Sequence, residues 1–155
     1  MFSKEEAKAL RVEFWNRFKA MSEQERRKLG LKKSWMLKQT GVKGLTLRFD
    51  VDRECVALGF EIYFKNKFKE ALLMESFEGI RHLLEAELED ALVWNDAFVT
   101  EEGRECARIY VQMKDVDIFQ KADWDNMWEF MMKNMFIMEQ FFVDFKEHIE
   151  NYENL

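Results

Sequence analysis

Residues 45–64 read LTLRFDVDRECVALGFEIYF, and the two alternations in this stretch decide the fold. Leu45, Leu47, Phe49 and Val51 alternate with Thr46, Arg48 and Asp50. Val56, Leu58, Phe60, Ile62 and Phe64 then alternate with Ala57, Gly59, Glu61 and Tyr63. A period of two places each apolar set on one face of a strand, so the stretch predicts a β-hairpin turning at Arg53 and Glu54. Pairing the inward residues across that turn sets Val51 opposite Val56, Phe49 opposite Leu58 and Thr46 opposite Glu61.

Outward from the hairpin the period lengthens. Upstream, Ser3 with Glu6 forms a capping box, and Leu10, Phe14, Phe18 and Met21 follow at helical spacing. Ser22 with Glu25 repeats the signal, either opening a separate short helix ended by Gly30 or capping a bend within one longer segment. Downstream, Leu73, Phe77, Ile80, Leu84 and Leu88 make one helical stripe from about Asn66. A second hairpin is predicted from roughly Ala91–Val99 and Cys106–Met113, turning at Thr100–Gly103, with Ala107, Ile109, Val111 and Met113 facing inward. From Asp123, a predicted N-cap, Trp128, Met131, Met135, Met138, Phe142, Phe145, Ile149 and Tyr152 recur at alternating spacings of 3 and 4. The expected fold is therefore α+β: residues 1–155 as one domain, three main helices over a four-stranded antiparallel sheet, in the order α-ββ-α-ββ-α.

Composition agrees. With 48% apolar and 35% charged residues the chain is too hydrophobic for disorder, and with Pro 0 it has no proline kinks. Two cysteines 51 positions apart, Cys55 and Cys106, make neither a disulfide framework nor a C-x-x-C site and read as small buried hydrophobes. Charges begin at Lys4 and no apolar run approaches the roughly 18 residues of a membrane span, so a cytoplasmic location without membrane contact is expected.

The net charge of −6 argues against wholesale coating of nucleic acid, but the charge is uneven. From Arg26 to Phe49 there are eight basic residues and no acid, while 16 basic and 30 acidic residues leave −14 on the rest. Arg26, Arg27, Lys28, Lys32, Lys33, Lys38 and Lys43 are candidate phosphate contacts, with Trp35 to stack on a base. The alternative is that the patch pairs with the acidic remainder of the chain. Gly41-Val42-Lys43-Gly44 has the G-x-x-G form of a phosphate clamp, but it precedes a strand instead of joining two helices and reads as an ordinary turn.

Asp50 and Glu61 are the candidate catalytic carboxylates, since acids on neighbouring strands can hold a divalent metal, as in restriction-type nucleases. That chemistry also requires a lysine two positions after the second acid, where this chain has Tyr63. The hairpin register further separates Asp50 from Glu61 by about four residues, roughly 13 Å along the strand. Arg48, diagonal to Glu61, instead suggests a surface salt bridge. His82 and His148 have no ligand company at zinc spacing, and no G-x-S-x-G, Walker A or G-x-G-x-x-G is present. No metal or cofactor is expected.

Five of the ten methionines lie between Met127 and Met138, so the last helix is read as core or as a protein-binding face. From Asp123 to Tyr152 it would be about 45 Å long, against a globule about 40 Å across, and no Pro or Gly breaks it. An apolar overhang of Met138, Phe142, Phe145, Ile149 and Tyr152 would then pack on a second copy in a homodimer.

Leu10-Arg11 with Phe14-Trp15, Trp35, Thr40-Gly41-Val42-Lys43, Arg48-Phe49-Asp50, Glu61-Ile62, Arg108-Ile109-Tyr110 and Asp123-Trp124 together resemble an uncharacterised bacterial family of unknown function. The likeness spans nearly the whole chain. The resemblance implies a domain found alone or C-terminal to restriction-endonuclease-like domains, and hence a nuclease-like partner and a link to DNA. It brings no catalytic residues. The expected function is a non-catalytic binding module contacting nucleic acid through residues 26–49. The alternatives are a degenerate metal-dependent nuclease, or a subunit that binds protein through its methionine-rich helix.

Overall fold

The computed structural model describes residues 2–154. Helix α1 (Lys4–Lys28) opens on the expected capping box: Glu6 N–H donates to Ser3 Oγ at 3.1 Å and Ser3 N–H to Glu6 Oε1 at 3.3 Å. Ser22 starts no second helix. Its hydroxyl donates to the Phe18 carbonyl at 2.8 Å, one turn back, so α1 continues through it. The helix ends at Gly30, whose φ of 71° lets the Leu31 and Gly30 N–H groups return to the Arg26 and Arg27 carbonyls at 2.9 and 3.1 Å.

Strands β1 (Leu45–Val51) and β2 (Cys55–Ile62) pair in the predicted register, with Val51 opposite Val56, Phe49 opposite Leu58 and Thr46 opposite Glu61. Asp52 fixes the turn by accepting the Glu54 and Cys55 N–H groups at 2.8 and 2.9 Å. The second hairpin comprises β3 (Val93–Val99) and β4 (Glu105–Lys114), with a register shift between Asn95 and Phe98. The sheet is antiparallel throughout and ordered β1-β2-β4-β3, so the two hairpins join through β2 and β4.

Between the hairpins, the expected single helix is two: α2 (Lys67–Glu78), capped by Asn66, and α3 (Arg81–Glu87). Gly79 ends the first, and Ile80, at φ −118° and ψ 10°, breaks the helical path. A 3₁₀ turn at Lys121–Asp123 leads into α4 (Trp124–Glu150). Asp123 does not cap α4 with its side chain; its Oδ2 accepts the Asp117 N–H at 3.0 Å and ties the incoming loop.

Leu45, Leu47, Val56, Leu58, Phe60, Ile62, Ile109 and Val111 make the buried face of the sheet, and Phe60 packs on Phe77 of α2 and Phe142 of α4. Burying a side chain of this size contributes roughly 1.5–3 kcal/mol. Met127, Met131, Met135 and Met138 are fully buried, so four of α4's five clustered methionines are core, while Met132 is half-buried. Cys106 is buried as expected, whereas Cys55 is half-buried; both are free thiols. No helix among the described residues is long and apolar enough to cross a membrane.

Candidate functional site

The cap at Gly30 turns the chain into the basic segment, and two residues expected to meet a ligand fasten that segment instead. Arg26 is 3% exposed; it donates through Nη1 to Glu139 Oε1 of α4 at 2.7 Å and through Nε to the Lys32 carbonyl at 2.6 Å. Glu139 Oε2 accepts the Met36 N–H at 2.9 Å. Between these bonds lies Trp35, its ring 4.6 Å from the Arg26 guanidinium and 4.6 Å from the Phe136 ring, with Phe49 at 6.0 Å. Arg26 is thus tied to α4 and to its own segment, and Trp35 is packed on the body while remaining half-buried at the cleft described below. The reason is long-range: their partners lie on α4 and β1, which sequence spacing does not bring near.

Past Trp35, Leu47 N–H of β1 donates to the Leu37 carbonyl at 2.9 Å, and Thr40 Oγ1 donates to the Leu45 carbonyl at 2.8 Å. Gly44 has φ 82°, and a Cβ there would strike the Phe64 ring. The G-x-x-G stretch is a turn that delivers the chain into β1.

Fixing the segment leaves its other cations outside. Arg27, Lys32, Lys33, Lys38 and Lys43 are exposed, and among the described residues none has a carboxylate within ion-pair distance. Lys28 makes an exposed contact with Glu25 at 3.2 Å. Lys32, Lys38 and Lys43 line a cleft of about 1310 Å³ beside β1, together with Arg48 and Arg104. Half-buried Trp15, Phe49 and Tyr63 line the same cleft.

Arg48 and Arg104 also belong to an ionic cluster on the polar face of the sheet. Glu61, 5% exposed, accepts from Arg48 Nη1 at 3.0 Å, Arg104 Nη2 at 2.6 Å, and Arg108 Nε and Nη2 at 3.0 and 2.8 Å. Asp50 accepts from Arg48 Nε and Nη2 at 2.9 and 2.6 Å and from Arg108 Nη1 at 3.3 Å. The expected partner of Glu61, Arg48, is correct; the expected surface pair is part of a network of five groups centred on buried Glu61. Burial works to lower the Arg48 pKa, but the hydrogen bonds and charges of Asp50 and Glu61 outweigh it and raise the pKa. Asp50 and Glu61 come together only through shared guanidiniums, which occupy the oxygens a divalent ion would need. No group of three or more His, Cys, Asp or Glu side chains among the described residues could hold a metal.

Of the expected dimer surface, Met138, Phe142 and Ile149 are fully buried in the chain's own core and Tyr152 is 7% exposed. Helix α4 leaves helical geometry at Phe145, with φ −113° and ψ 15°, although no proline or glycine stands there. Beyond the break, His148 Nε2 lies 3.0 Å from the Ser76 carbonyl of α2, and the Tyr152 ring lies 6.0 Å from Phe64. The chain bends its own end over α2, so Met138, Phe142, Ile149 and Tyr152 pack within the chain.

Trp15, Tyr63, Arg104 and Arg108 were not among the expected ligand residues. Tyr63 and Arg108 carry a signal, because they share the outward strand positions with Arg48 and Glu61. Trp15 and Arg104 reach the site from a helix and a hairpin tip, and only the tertiary fold brings them there.

The class is an antiparallel four-stranded sheet with helices over one face and an aromatic, cation-lined cleft beside edge strand β1. The family model described as Domain of unknown function (DUF4268) matches residues 10–146, and the chain belongs to that family. No curated protein and no solved structure matches the chain.

Proposed function

We propose that this chain is a non-catalytic binding module that holds the phosphate backbone of a nucleic acid in the cleft beside β1. One observation carries the reading: Lys32, Lys38 and Lys43 are exposed, have no carboxylate partner among the described residues, and surround one cleft in a chain of net charge −6. A patch that served only to neutralise the acidic remainder would be ion-paired with it. The resemblance to a bacterial domain found C-terminal to restriction-endonuclease-like domains points the same way, since such a module would hold a strand while a nuclease-like partner cuts it.

The test is fluorescence anisotropy with labelled oligonucleotides across a salt series. Affinity is expected to fall as salt rises, and reversing Lys32, Lys38 and Lys43 to Glu should flatten that slope by about 0.7–0.9 per phosphate contact removed. Absence of binding at low salt, or binding indifferent to salt, would overturn the reading.

A further inference from the structure

Phosphate binding needs only the lysines, yet the cleft contains more than lysines. Trp15, Phe49 and Tyr63 are half-buried in it, while Phe14 and Phe18, the neighbours of Trp15 on α1, are 0% and 3% exposed. Trp15 meets Phe14 and Phe18 edge-on, at 86° and 82°, and sits at the margin of the aromatic core. Tyr63 carries the Arg104 guanidinium 4.2 Å over its ring, and the Arg104 side chain, though bonded to Glu61, is 44% exposed. The cleft therefore wraps the edge of β1, with Trp15 and Phe49 on its helix-covered side and Tyr63 under Arg104 on its polar side, both behind exposed cations.

Resting on the function proposed above, we infer that the strand held here is unpaired and passes around the edge of β1, with bases turned inward against Trp15 and Phe49 on one side and against Tyr63 and Arg104 on the other, and its phosphates outward among Lys32, Lys38 and Lys43. In a duplex the bases are stacked and paired inside, so a duplex offers this cleft nothing but phosphate at the rim. A single strand can turn its bases onto recessed rings while its backbone tracks the cations, and each base–aromatic stack adds to affinity independently of base identity. On the polar side Arg104, planar and stacked on Tyr63, presents the surface to a base, and Lys67 Nζ lies 4.9 Å from the centroid of the same ring.

The experiment compares oligothymidylate and oligouridylate of about 15 nucleotides with a duplex of the same length, all against the full chain at one salt concentration. Both single strands are expected to bind more tightly than the duplex, and their ranking tells DNA from RNA. Trp15→Leu and Tyr63→Leu should each weaken single-strand binding about tenfold and leave duplex binding unchanged, while Trp15→Phe keeps most of the affinity. Oligothymidylate should quench tryptophan emission in the native chain and lose most of that quench in Trp15→Phe. If Trp15→Leu fails to fold, Tyr63→Leu and the quenching decide the matter. Duplex binding as tight as single-strand binding, or aromatic variants that affect both alike, would overturn the inference while leaving phosphate binding intact. Failure of every probe to bind would overturn both.

Discussion

Glu61 and Arg108 face each other directly across β2 and β4, and one oxygen of Glu61 accepts two bonds from the Arg108 guanidinium, with both side chains nearly out of solvent. Bidentate charge-assisted pairs are strong when intact and costly when halved, because the surviving charge stays buried. Glu61→Ala is expected to destabilise the protein by about 3–5 kcal/mol, read from the urea midpoint. Asp50→Ala, at a position whose side chain is 34% exposed, should cost no more than about 1 kcal/mol. Equal losses would mean that Arg48, not Arg108, governs the cluster.

The Arg26–Glu139 pair makes a second prediction. Glu139→Ala leaves Arg26 buried without its counter-charge and frees the Met36 N–H, so stability should fall by about 3–5 kcal/mol. The same variant should speed tryptic cleavage after Lys32, Lys33 and Lys38 under native conditions. Unchanged cleavage would show that Trp35 alone holds the segment.

Phe142 tests the C-terminal seam. As a fully buried ring, its replacement in Phe142→Ala should cost about 3–5 kcal/mol in thermal or urea unfolding. Sedimentation of the folded protein should not change, because the ring packs on Phe60 of its own chain. A shift in mass would reinstate a dimer seam.

Gly59 lies between Arg48 and Tyr110 in the sheet, and a Cβ there would collide with the Ile109 carbonyl oxygen and lie 2.7 Å from the Tyr110 Cα. Gly59→Ala should therefore destabilise by about 1–3 kcal/mol and shift the backbone amide resonances of Ile109 and Tyr110 in NMR spectra.

The two hairpins and the β1–β2 register were legible because a period of two and a short turn are local facts. So was the Arg48–Glu61 contact, which follows from register. The break at Phe145 was not, since it lacks the Pro or Gly that marks such sites; Ile149 and Tyr152 beyond it are buried. Nor was the burial of Arg26: in sequence it looks like Arg27 beside it, and only the fold puts Glu139 against one and water against the other. The cleft was half visible, because its lysines share one segment while Trp15 and Arg104 come from elements far away in the chain.

The same Glu139 bonds bear on how the molecule assembles. They join α4 to Arg26 across 113 positions and to Met36 across 103. Closing loops of that length costs more entropy than closing the two-residue turn of the first hairpin, so these contacts are expected to form after it. Few backbone bonds hold residues 31–44 in place. The cleft is accordingly expected to open from the native state before the sheet centre does. Hydrogen exchange at Met36 and Leu47 would outrun that of Phe60 and Ile109 in the sheet centre, and ligand seated in the cleft would slow it.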